Sequence, residues 1–181
     1  EIVRKITACG GRAIGLSGTD GGLIEAEPAG DIGEIGYVGD VVSVNTKLLE
    51  LMIESGYLPV IAPIGLDASG QRYNINADTA AGAVASAINS SKLIVVTDVP
   101  GIMKEIDGEK QIMPELSVQQ IEEMIETGDI YGGMIPKVRA AIQCIQGDVQ
   151  EVVILSGEEP NGMTKVLQGE NIGTRIIKGL E

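Results

Sequence analysis

The sequence predicts an α/β protein, a three-layer αβα sandwich on a mostly parallel central sheet. Three features point to it. Short apolar runs alternate along the chain with segments of helical period, and glycines or turn clusters close most of them. No repeat of roughly 20–50 residues, heptad series or low-complexity linker interrupts the alternation.

Taken in order, residues 2–9 put Ile2, Val3, Ile6 and Cys9 on one helical face, and Gly10-Gly11 ends the helix. Residues 12–17 read as a strand, Thr19-Asp20-Gly21-Gly22 as a turn, and residues 23–26 as a short strand. A Gly-rich stretch covers 28–39 and an extended one 37–44. Asn45 is placed to cap a helix with Leu48, Leu49, Met52 and Ile53 on its face and Gly56 as its stop. Residues 58–64 form a buried-type strand, Asp78 opens an Ala-rich helix through Ile88, and residues 92–97 are a second apolar strand. Ser117 and Gln120 have the spacing of a capping box ahead of Ile121, Met124 and Ile125. Pro136 suits the first turn of a helix whose inner face is Val138, Ala141, Ile142 and Ile145, with Gly147 as the stop. Residues 152–155 are the last strong strand.

Composition narrows the chemistry. The formal charge is −13, which repels a phosphate backbone and an anionic membrane alike. Without Phe or Trp, and with only four Tyr, there is no platform for stacking single-stranded bases. The absence of His removes imidazole bases, Ser-His-Asp triads and His metal sites. Gly is 25 of 181 residues, about twice the usual ~7%, which favours chemistry built on backbone amides. Cys9 and Cys144 read as two buried thiols. With no secretory leader pattern and no apolar run near the ~18 residues of a membrane span, a cytoplasmic protein is expected.

Open parallel sheets bind ligands beyond the carboxyl ends of their strands, so the loops there hold the candidates. Asn74, Asn76 and Asp78 are spaced by two, which in an extended segment points all three one way. They suit a carboxylate or amide ligand, and equally an Asn-rich turn in which Asp78 caps the next helix. The stretch Gly128-Asp129-Ile130-Tyr131-Gly132-Gly133-Met134-Ile135-Pro136-Lys137 joins a glycine pair to a helix start. Its dipole end, amides and Lys137 suit an anion, while a surface Lys in a tight turn is the plainer alternative. There is no Walker loop and no G-x-G-x-x-G before a helix. The pairs Glu122-Glu123 and Glu158-Glu159 read as solvated faces.

Five segments together resemble the amino-acid kinase family, and within it the acetylglutamate kinases. They are Ala13-Ile14-Gly15-Leu16-Ser17-Gly18-Thr19-Asp20-Gly21-Gly22-Leu23-Ile24, Asn74-Ile75-Asn76-Ala77-Asp78, Thr97-Asp98-Val99-Pro100-Gly101-Ile102, Gly133-Met134-Ile135-Pro136-Lys137-Val138 and Gly173-Thr174-Arg175-Ile176. All five stand in the family's order and span nearly the whole chain. The resemblance implies the amino-acid kinase fold and phosphoryl transfer from ATP to the side-chain carboxylate of N-acetyl-L-glutamate, the second step of arginine biosynthesis. It implies that Asn74 and Asn76 hold the acetylglutamate, and that Asp98, Val99, Pro100, Gly101, Ile102 and Met103, with Asp129, Ile130 and Tyr131, border the ATP. Lys137 would stabilise the transferring phosphoryl group and Asp78 would orient the catalytic lysines. Mg²⁺ would arrive on ATP, with no metal held by the protein. The intact enzyme would be a homo-oligomer, a dimer or higher.

The family's early K-x-G-G-type loop, second glycine pair and substrate-binding Arg are not in this sequence. The chain is therefore expected to be the C-terminal two-thirds of the enzyme, starting inside a helix of the dimer interface and inactive by itself. On that basis residues 1–78 are the rest of an acetylglutamate lobe and residues 79–181 an ATP lobe. Two alternatives stand beside this one: a family member with another acceptor, and a non-catalytic module binding a nucleotide or amino acid.

Overall fold

A proline inside an apolar run sets the layout of the first part of the chain. Pro63 has no N–H to give a ladder. In the computed structural model, which describes residues 1–147 and 149–179, the run 58–64 is accordingly two strands on two different sheets. The chain divides into two units, Glu1–Ala87 and Ile88–Glu181, so the Ala-rich helix goes with the first.

The first unit runs α1 (Ile2–Ala8), β1 (Ala13–Ser17), β2 (Ile24–Pro28), the one-turn α2 (Ile32–Ile35), β3 (Gly39–Val44), α3 (Thr46–Glu54), β4 (Leu58–Ala62), β5 (Ile64–Leu66), β6 (Arg72–Asn74) and α4 (Ala77–Ala87). β1 and β4 pair in parallel from Ala13 with Leu58 to Ser17 with Ala62. A second sheet has the order β3-β2-β5-β6, parallel between β2 and β5 and antiparallel at its two outer pairs. The buried side chains around this sheet include Leu23, Ile24, Ala26, Tyr73 and Ile75, with Leu49 of α3. Two expectations change here. The face of α1 is only partly covered: Val3 and Ile6 are half-buried, while Ile2 and Cys9 are exposed. Asn45 precedes α3 without a side-chain cap bond; its amide NH₂ instead donates to the Gly21 carbonyl at 3.1 Å.

The second unit runs β7 (Lys92–Thr97), β8 (Met103–Ile106), β9 (Glu109–Ile112), β10 (Glu115–Ser117), α5 (Val118–Glu126), α6 (Met134–Gln146), β11 (Glu151–Ser156), α7 (Gly162–Leu167) and β12 (Thr174–Ile177). Its four-stranded sheet has the order β10-β12-β11-β7. β11 is parallel to β7 along all of its length and antiparallel to β12. Val152, Val153, Ile154 and Leu155 are all buried, as a strand covered on both faces requires. Val153 and Leu155 pack on Val166 of α7, and α6 buries Val138, Ala141, Ile142 and Ile145, the four residues its period selects. The capping box of α5 is complete: the Gln120 N–H donates to Ser117 Oγ at 3.2 Å, and the Ser117 N–H to Gln120 Oε1 at 2.8 Å. The α/β class is thus realised with parallel and mixed sheets. Among the described residues no helix is long and apolar enough to cross a membrane.

Both thiols are free, but only Cys144 is buried, and desolvation pushes it up to about 11. Cys9 stands past the last turn of α1, where no element covers it. A thiol-exchange reagent near pH 8 should therefore modify Cys9 in the native chain and reach Cys144 only on unfolding, which a spectrophotometric thiol count with and without denaturant checks.

Candidate functional site

Where β7 ends, the chain turns through residues 98–102 and enters the β8–β9 hairpin. The hairpin turn is Asp107-Gly108, with φ of 54° and 81°. Left-handed backbone at both central residues is the type I′ geometry that matches strand twist. The loop, the hairpin, residues 128–133 and the first turn of α6 enclose a cavity of about 570 Å³, all of it within the second unit.

Of the nine residues expected to border a nucleotide, Asp98, Val99, Gly101, Ile102, Met103, Asp129, Ile130 and Tyr131 line this cavity; Pro100 does not. Lys137 lines it too, half-buried on the first turn of α6. The hairpin adds Lys104, Glu105 and Lys110, none of which was anticipated from the sequence. The Asp-Gly dipeptide between two short strands is the signal that marks them.

Several contacts fix the walls. Ile130 is buried, and its N–H bonds the Met124 carbonyl at 2.9 Å, tying the loop to the end of α5. Asp129 Oδ2 accepts the Thr127 hydroxyl at 3.2 Å and stands 3.5 Å from Lys104 Nζ. That ion pair faces solvent on both sides, so it adds at most about 1 kcal/mol to stability and serves to join loop and hairpin. On the far side of the 98–102 loop, the Ile102 N–H donates to Thr174 Oγ1 at 2.8 Å.

Pro136 stands in the first turn of α6 as expected, but the amides there are not all free. The helix begins at Met134, two residues ahead of Pro136. The Met134 and Ile135 N–H groups bond the Tyr131 and Gly132 carbonyls at 3.3 and 3.2 Å, and Pro136 has no N–H. An anion here would be drawn by the dipole end and Lys137, not by those two amides.

The second candidate group lies in the first unit. Tyr73 and Ile75 are buried while Asn74 and Asn76 are exposed, the alternation of an extended segment. Asn76, not Asp78, caps α4: its Oδ1 accepts the N–H groups of Asp78 at 2.9 Å and Thr79 at 3.2 Å. Asp78 sits half-buried in the first turn. The β5–β6 turn below is tied by Asp67, which accepts from the Ser69 hydroxyl at 2.6 Å, the Gln71 N–H at 2.9 Å and the Tyr73 hydroxyl at 3.1 Å. These bonds, the Ser69 hydroxyl foremost, hold its carboxyl below the usual carboxylate range despite some desolvation. Among the acidic pairs, Glu122, Glu123 and Glu158 are exposed, whereas Glu159 is half-buried against Lys165 Nζ at 2.7 Å. No cluster of three metal-ligating side chains occurs among the described residues.

Known proteins are similar to this chain in sequence and fold. The model of the amino acid kinase family matches residues 1–156. The acetylglutamate kinase of Oceanobacillus iheyensis is 47% identical over 98% of this chain and 66% of its own length. That of Syntrophomonas wolfei is 43% identical over 98% of this chain and 62% of its own length. The chain thus spans just under two thirds of these curated relatives. Among solved structures, the smu.665 protein of Streptococcus mutans UA159 superposes with a TM-score of 0.81 at 30% identity, over 97% of this chain and 65% of that one.

The two asparagines should separate in a stability test. Asn76→Ala removes a helix cap and should lower the unfolding free energy by about 1 kcal/mol. Asn74→Ala, which uncaps no helix, should stay within about 0.5 kcal/mol of the parent in urea denaturation.

Proposed function

The chain belongs to the amino acid kinase family, and from that premise we propose that it carries the nucleotide site and part of the acceptor site of an acetylglutamate kinase. The reaction is transfer of the γ-phosphoryl group of ATP to the side-chain carboxylate of N-acetyl-L-glutamate, within arginine biosynthesis. The observation that carries the proposal is the cavity beyond β7, where eight of the nine residues assigned to the nucleotide meet Lys137. Identities of 47% and 43% to acetylglutamate kinases along nearly the whole chain support this acceptor over others.

Phosphoryl transfer asks the protein chiefly for positioning and electrostatics. Val99, Ile102, Met103 and Ile130 offer an apolar bed suited to a base. Lys137, at the positive end of α6, neutralises charge on the transferring group. ATP comes as its Mg²⁺ complex, the ion held mainly by phosphate oxygens and water. In the first unit, Asn74 and Asn76 take the acetylglutamate. With Oδ1 of Asn76 committed to the cap, its NH₂ is the group that donates to a substrate carboxylate. Asp78 keeps the role of orienting the catalytic lysines. We assign the first unit to the acceptor and the second to ATP, in a cytoplasmic homo-oligomer.

Protein expressed from the complete coding sequence should form ADP from ATP only when acetylglutamate is present. Turnover with aspartate or UMP instead would move the protein to another acceptor, and nucleotide binding without any turnover would make it a regulatory module. Lys137→Ala should lower kcat about 10²- to 10³-fold with a smaller change in the KM for ATP; an unchanged kcat would remove Lys137 from the chemistry.

A further inference from the structure

We propose that Thr174 is a positioning residue for the nucleotide cavity, its buried hydroxyl fixing the 98–102 loop from behind. The proposal rests on the reading that this cavity takes ATP. Thr174 is 0% exposed, the only buried polar side chain among the described residues. It does not line the cavity, so it acts through the loop it holds.

The need for it is local. After Thr97 the chain leaves the ladder with β11, and at the buried end of the loop, Gly101 and Ile102, backbone N–H groups must still be paired. Ile102, 1% exposed, finds its acceptor on the first residue of β12, one strand beyond β11 in the sheet order. The Ile102 carbonyl takes the Met113 N–H at 2.8 Å, so both polar groups of this residue are fixed. The loop can come so close only because glycines face each other there. A Cβ on Gly101, whose φ is +153°, would stand 2.7 Å from Thr174 Oγ1 and 3.2 Å from the Gly173 carbonyl carbon. A Cβ on Gly173 would stand 2.1 Å from the Ile154 oxygen. Loop, β12 and β11 are thus packed backbone to backbone around one hydroxyl, and Asp98, Val99 and Met103 face the cavity from the same stretch.

Thr174→Val keeps the shape and leaves the Ile102 N–H buried without a partner. In the protein expressed from its complete coding sequence, titration with Mg²⁺·ATP well below the melting temperature should show affinity about tenfold weaker for Thr174→Val. Thr174→Ser should return it to within about twofold of the parent. A role in stability alone would lower the melting temperature of the valine variant and leave its ATP affinity unchanged, which overturns the proposal. Parent protein that does not bind ATP would instead overturn the assignment of the cavity. Amide exchange in the parent decides the matter even if the valine variant does not fold. The Ile102 amide should exchange as slowly as Arg175 and Ile176 on β12; exchange as fast as at Asp98 and Val99 overturns the proposal.

Discussion

The parallel ladder between β7 and β11 is the constraint on which the cavity depends. Parallel neighbours cannot be joined by a tight turn and need a long crossover. Here the crossover runs from Asp98 to Gln150 and holds the hairpin, α5 and α6. The register pairs Thr97 with Ser156, so the two strands end together and the crossover must start at that edge. Apart from Thr97 itself, every residue of the cavity wall belongs to this one connection. The buried side chains of β11 hold the ladder in place, and the geometry of the cavity follows from where the ladder stops.

A chain of charge −13 would be an odd host for the polyanion proposed here, yet the charge around the cavity is locally balanced. Its wall sets Lys104, Lys110 and Lys137 against Asp98, Glu105 and Asp129, so cations and carboxylates are equal in number there. The excess negative charge lies elsewhere and is screened over about 8–10 Å at ordinary ionic strength. Two of these cations arrive on the hairpin. A Mg²⁺-bearing nucleotide, with part of its charge already neutralised, suits a locally balanced wall better than bare phosphate would.

Periodicity made the second unit readable in advance. The four inner residues of α6, the capping box of α5 and the apolar run at β11 are local signals that packing then obeys, while the run at β7 forms its strand but leaves Val96 half exposed. The misses came where a residue's role depends on something remote in sequence. Pro63 looked like part of one strand because its missing N–H matters only once a partner strand is known. Asn45 has the residue type of a cap, yet its amide finds Gly21 across a separation of 24 residues. Cys9 was placed inside by helical period, but a face is buried only if something covers it. The hairpin is a different case. Asp107-Gly108 is a local turn signal, but Met103–Ile106 and Glu109–Ile112 on either side lack the clean alternation that marks strands. As to the site, type and spacing selected Asn76, but only the bonds from Asp78 and Thr79 show that its side-chain oxygen caps α4.

The glycines of the site separate by physical cause. Gly101 and Gly173 are required both by backbone, with φ of +153° and +71°, and by contact, since a side chain at either would run into the neighbouring strand or hydroxyl. Gly132 is required by backbone, with φ of +58° in open space. Gly133 satisfies neither condition. Its φ is −66°, which any residue adopts, and a Cβ there would meet nothing within 4 Å. It lies on the cavity wall just ahead of α6 and Lys137, so nothing in the protein itself demands its lack of a side chain. Close approach of a phosphate to the backbone does demand it. The same residue that is arbitrary for the fold is thus the one an ATP site would require to be small.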